Sequence, residues 1–266
     1  MSDKRAIGVF DSGLGGLTVM KELMKALPGE SIYYLGDTKH VPYGAKSRET
    51  VTRLSALNIE CLLKKNVKLI VIACNTASAL SLSDLKKRFR VPLLGVVEPG
   101  ASGAVNATFS GRIGVIGTAG TVGSGAYEKA IKRRLGGARV FSKACPLFVP
   151  LVEEGWWGKK VTRDICTEYL SCLKKHKVDT LVLGCTHYPF LKPAIAGVLK
   201  GVSLIDSAFE TAGAARSMLE KNGLLNISGR KPEYRFYVTD APDKFKRLGS
   251  SFLKYRIGKV NLLNID

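Results

Sequence analysis

Two cysteines, Cys74 in ACNTASA (73–79) and Cys185 in GCTHYPFL (184–191), each follow an apolar run and precede polar residues expected to open a helix. Thiols so placed offer two kinds of chemistry. One cysteine beside a histidine and an acid suits covalent, nucleophilic catalysis. Two cysteines facing each other suit proton transfer: a thiolate removes a proton from a carbon while the opposite thiol delivers one to its other face, inverting a stereocentre. Sulfur fits that task because a helix N-terminus or a cationic neighbour raises its thiolate fraction, and because it works as acid or base. Free N–H groups at a helix start would favour the thiolate and could also hold a substrate carboxylate.

The elements that must position these thiols are legible as a repeat. Apolar runs begin at Ile7 (IGVFDSG), Ile32 (IYYLGD), Leu69 (LIVIACNT) and Leu93 (LLGVVEP). A second series begins at Ile113 (IGVIGTAG), Ala138 (ARVFSKACP), Thr180 (TLVLGCTH) and Ser203 (SLIDSA), each 106–111 residues after its counterpart. Runs of this kind with helix-like segments between them predict a parallel α/β sheet, and the constant offset predicts duplication. The expected fold is therefore two similar doubly wound parallel-sheet domains related by a pseudo-twofold. Residues 1–97 with 207–266 would form the first domain, discontinuous in sequence, and 98–206 the second. Cys74 and Cys185 end the third strand of their respective units. Ligands of doubly wound sheets bind outside the carboxyl ends of strands, so the active site is expected in the cleft between the domains.

Composition narrows the alternatives. With 41 Lys and Arg against 22 Asp and Glu, the 266-residue chain carries a formal charge of +19, while 45% of its residues are apolar. That apolar content excludes a disordered basic tail. The bases gather as Lys86, Lys87, Arg88 and Arg90, as Lys132, Arg133 and Arg134, and as Lys174, Lys175 and Lys177, each cluster closing a helix-like segment. Cations there complement the helix dipole, so a solvated helix end is favoured over a nucleic-acid stripe, and nucleic acid is disfavoured as a partner. No apolar stretch approaches the ~20 residues of a membrane span, and no signal peptide is apparent, so a soluble cytoplasmic protein is expected. Six cysteines without a CxxC pair, and three histidines of which only His187 lies near a cysteine, predict free thiols and no metal. Cys61, Cys166 and Cys172 read as packing residues, and Cys145 as structural. The GLGG run at 13–16 lacks both the Walker A and the GxGxxG spacing. Trp156 and Trp157 fit core, lid or interface equally well.

Five motifs occur together and in order: FDSGLGGLTV (10–19), YLGDTKHVPYG (34–44), ACNTASA (73–79), VPLVEEG (149–155) and GCTHYPFL (184–191). Over about residues 7–210 the chain resembles the glutamate racemases, cofactor-independent members of the aspartate/glutamate racemase superfamily. The resemblance implies that Cys185 deprotonates L-glutamate and Cys74 deprotonates D-glutamate. It implies that Asp11 assists Cys74 while Glu153 and His187 assist Cys185; of the adjacent Glu153 and Glu154, motif register selects the first. Substrate binding carries over to Asp11, Ser12, Tyr43, Gly44, Asn75, Thr76, Thr118, Thr121, Thr186 and His187. The implied partner is glutamate, with no cofactor, no metal and no membrane, and with D-glutamate destined for peptidoglycan; a homodimer is left open. Racemisation of aspartate or another amino acid, hydrolysis by a single cysteine, and nucleic-acid binding stand as rivals.

Overall fold

The computed structural model describes residues 3–265. The chain begins with β1 (Ile7–Asp11), α1 (Leu17–Ala26), β2 (Ile32–Gly36), α2 (Arg48–Leu63), β3 (Leu69–Ile72), α3 (Asn75–Arg88) and β4 (Leu93–Gly95). Helix α4 (Val97–Ala107) leads into β5 (Arg112–Gly117), α5 (Ala119–Gly123), α6 (Ala126–Arg134), β6 (Arg139–Ala144), α7 (Phe148–Glu153), α8 (Lys160–Lys175), β7 (Thr180–Gly184), α9 (Lys192–Val198) and β8 (Ser203–Asp206). The end of the chain supplies α10 (Ser207–Lys221), β9 (Tyr234–Val238), α11 (Pro242–Leu253) and β10 (Val260–Leu262).

Two sheets result, ordered β10-β9-β2-β1-β3-β4 and β6-β5-β7-β8. Every pairing is parallel. Within them, β2-β1-β3-β4 and β6-β5-β7-β8 are the same permutation, the topological form of the repeat seen in sequence. Helices on both faces bury the central strands completely, which is why β1, β3 and β7 read as unbroken apolar runs. Edge strand β6 is half-exposed and tolerates Arg139, Ser142 and Lys143.

After β8 the chain returns to the first sheet, where β9 pairs with β2 and β10 with β9. A buried ion pair fastens this return. Lys68 Nζ lies 2.6 Å from Glu30 Oε2 and donates to the carbonyls of Asp3 and Leu224, both at 2.7 Å. Three oxygens around one buried ammonium offset its desolvation. Helix α11 has no counterpart among the expected elements: Gly249, Ser250 and Ser251 weaken its helical signal, yet it forms by burying Phe245, Gly249, Phe252 and Leu253.

The basic clusters do close helices α3, α6 and α8. Arg88 pairs with Glu60, Lys132 with Glu128, and Arg133 and Arg134 with Glu98. Since α3 starts at Cys74, its 14 residues carry Arg88 about 20 Å from the thiol. Among the described residues no helix is long and apolar enough to cross a membrane.

Candidate active site

Cys74 leaves β3 and caps α3. Its sulfur accepts the Ala77 N–H at 3.5 Å, one of the donors every helix start leaves unpaired, and its thiol faces Ser12 Oγ at 3.7 Å. Cys185 leaves β7 at the equivalent point, but the expected helix start is absent there. Pro189 and Pro193, which cannot donate and which restrict the residues before them, give a 3₁₀ turn over Tyr188–Leu191 and delay α9 to Lys192. A histidine replaces the helix. His187 Nδ1 lies 3.9 Å from Cys185 Sγ, and His187 Nε2 lies 3.1 Å from Glu153 Oε1 at the end of α7. Glu154 turns outward and is exposed.

Both thiols line one cavity of about 300 Å³ between the sheets. Ser12, Tyr43, Gly44, Asn75, Thr76, Thr118, Glu153, Thr186 and His187 line it as well. Two of the expected residues stand behind its wall instead. Asp11 is fully buried, accepting the Gly13 N–H at 3.0 Å and the Thr186 hydroxyl at 3.4 Å, because β1 ends inside the core and its loop closes over the carboxylate. Thr121 lies under Thr76 and Thr118, at 3.2 and 3.0 Å, in a triangle of hydroxyls. Apolar wall residues that sequence did not single out are Val41, Pro42, Ala45, Ala119, Pro146, Val149 and Pro150. Val41-Pro42 and Val149-Pro150 sit inside the quoted motifs, which was the available signal. Among the described residues no lysine or arginine lines the cavity.

Supporting groups fix the polar walls. Tyr43 donates to Asp37 Oδ2 at 2.5 Å, and Thr239, just past β9, donates to Asp37 Oδ1 at 2.8 Å, so the C-terminal segment braces this wall. Gly15 explains the glycine run: a Cβ there would sit 2.2 Å from Thr186 Oγ1 and 2.6 Å from His187 Nδ1, so only glycine lets the β1 loop lie against the Cys185 turn. Behind that turn, Tyr188 donates to the Cys145 carbonyl at 2.8 Å and packs edge-on against Phe148. All six cysteines are free thiols. Trp156 and Trp157 are partly exposed, and Trp157 packs on Phe190 and Phe252.

The electrostatics of the two ends differ. Burial, joined by the Asp11 charge, pushes the Cys74 thiol up to about 12 against the opposing Ala77 and Ser12 bonds. Burial also raises Asp11, with His187 and the Gly13 and Gly16 amides opposing. For His187 burial favours the neutral ring, but the hydrogen bonds and negative charges of Cys185 and Glu153 outweigh it and hold the imidazole up at about 10. The His187 hydrogen bond lowers Glu153 in turn, against a burial effect that raises it. The cavity can thus keep a protonated thiol on one side and a sulfur paired with an imidazolium on the other.

Residues 7–215 match the model of the family described as Asp/Glu/Hydantoin racemase. The glutamate racemase of Geobacter metallireducens is 49% identical over 263 residues, 98% of this chain and 97% of that protein. Among solved structures, a glutamate racemase isoform from Bacillus anthracis superposes with a TM-score of 0.94 at 39% identity, covering 98% of this chain and 97% of its own. The glutamate racemase of Francisella tularensis in complex with D-glutamate gives 0.93 at 40% identity, with 99% of each chain covered. From a family model that spans most of its length and relatives that share its whole extent, this chain belongs to the Asp/Glu/Hydantoin racemase family.

Proposed function

We propose that the chain interconverts L- and D-glutamate by two-base proton transfer at the α-carbon, with no cofactor, as a cytoplasmic isomerase that supplies D-glutamate for peptidoglycan. One observation carries the mechanism: two thiols from equivalent strand ends line one small cavity, each with its own polar partner. Starting from L-glutamate, the Cys185 thiolate takes the α-proton and the Cys74 thiol gives its proton to the opposite face. The enzyme is left with Cys74 as thiolate and Cys185 as thiol, and exchange with water restores the starting state. Asp11 acts with Cys74; Glu153 holds His187 toward Cys185.

The α-hydrogen of an amino acid is weakly acidic, so the transition state must be stabilised by fixed donors in a site that excludes water. Ser12, Tyr43, Gly44, Asn75, Thr76, Thr118 and Thr186 supply hydroxyl, amide and backbone donors for two carboxylates, and the Asp11 and Thr121 groups hold them from behind. Residues 1–97 with 207–266 and residues 98–206 form the two domains that carry the opposing walls.

The names of the relatives favour glutamate over aspartate as substrate. Chiral chromatography of reactions with each L-amino acid, without pyridoxal phosphate, tests this. Glutamate is expected to turn over at least about a hundredfold more efficiently than aspartate, a discrimination that a site built on hydrogen bonds to both carboxylates can reach. Faster aspartate turnover, or no D-glutamate at all, would contradict the proposal.

A further inference from the structure

Asn75 follows Cys74 directly, is buried, and lines the cavity, yet its amide is only half satisfied. Tyr127, on α6 of the opposite sheet's unit, donates to Asn75 Oδ1 at 2.6 Å, while Asn75 Nδ2 has no partner among the described residues. A side-chain amide can rotate half a turn at little intrinsic cost, so the oxygen and nitrogen ends are told apart only by their bonds. Burial holds the phenol in its protonated form, and its hydroxyl donates to the oxygen end of the amide. A buried donor without a protein acceptor is the kind of group an anionic ligand satisfies. Tyr127 also touches the other thiol's strand: a Cβ on Gly184, the residue before Cys185, would stand 3.2 Å from the Tyr127 ring. The hydroxyl therefore meets the residue after one thiol and the ring packs beside the residue before the other.

We propose that Tyr127 is a positioning residue for the racemisation, orienting the Asn75 amide so that its NH₂ is reserved for a substrate carboxylate and tying the two thiol-bearing strand ends together. This rests on the glutamate racemase reading above. The test is steady-state kinetics on Tyr127→Phe, Asn75→Ala and the double variant, with D- and L-glutamate, alongside thermal unfolding. Tyr127→Phe is expected to raise KM roughly tenfold for both enantiomers with a smaller fall in kcat, and the double variant to be no worse than Asn75→Ala alone, since the phenol acts through the amide. Wild-type KM in Tyr127→Phe, or losses that add in full in the double variant, would overturn the proposal. Should Tyr127→Phe not fold, Asn75→Asp decides: it keeps an acceptor for Tyr127 and removes the NH₂, so KM must rise as in Asn75→Ala, and an unchanged KM would overturn it. A wild-type protein without activity on glutamate would instead refute the underlying reading.

Discussion

Around Cys74 stand a helix start, a serine hydroxyl and the buried Asp11 carboxyl, and the thiol is pushed up to about 12. Around Cys185 stand a proline-broken turn and an imidazole held up at about 10 by that sulfur and by Glu153. The two strand ends occupy the same place in sheets of the same order, while the backbone that follows each and the groups around each sulfur differ. At Cys74 the donor of the helix start is outweighed by burial and one adjacent anion, which together raise the thiol. Duplication supplies two opposed thiols, and divergence of their neighbours gives one a carboxyl and a serine and the other an imidazole and a glutamate.

The largest expected effect removes either end. Cys74→Ser and Cys185→Ser should each cost roughly a thousandfold in racemisation, in both directions, since each removes one proton-transfer group. Wild-type turnover in either would reduce the pair to a single working cysteine. Next, Gly15→Ala should cost about a hundredfold by displacing Thr186 and His187, because an ångström of misplacement near the chemistry is that expensive. Gly123→Ala, whose added Cβ meets nothing within 4 Å, should leave turnover unchanged.

The pH dependence sharpens the contrast. His187 is held above its ordinary range, so its charge is present at neutral pH and is lost as pH rises through about 10. Turnover of L-glutamate should fall along that limb, and Glu153→Gln, which removes one of the two anions sustaining the imidazolium, should move the limb to lower pH in a pH–rate profile. The smallest effect is on Cys74 itself. Asp11→Asn removes a charge that raises the thiol, so alkylation of Cys74 at pH 8, followed by mass spectrometry, should quicken severalfold. No change would show that burial alone protects it.

Much of this asymmetry was written in the sequence, though unevenly. Strand ends are local, and the runs at Leu69 and Thr180 with their following cysteines located both thiols. The Cys185 environment was misjudged because CTHYPFLKP has the polar opening of a helix, while Pro189 and Pro193 decide the backbone. A motif names Asp11 and the family resemblance names Thr121, but neither gives their depth, since which side of a wall a residue occupies depends on packing with distant segments. Tyr127 and Asp37 were invisible as supports: each bonds a cavity residue that sequence did name, through a contact that only the folded chain creates. The +19 charge is accounted for in part, by cations that close α3, α6 and α8, of which Arg88, Lys132, Arg133 and Arg134 are paired with carboxylates.

The central claim is that two thiols work on opposite faces of one carbon. Incubating the protein with L-glutamate in deuterium oxide and following both enantiomers by mass spectrometry through the first few per cent of reaction tests it most directly. Two bases predict D-glutamate bearing deuterium at the α-carbon from the outset, while the unreacted L-glutamate stays protiated, because the thiol that abstracts returns only the proton it took. Deuterium entering the L-glutamate pool as fast as D-glutamate forms, or D-glutamate that retains its original proton, would contradict it.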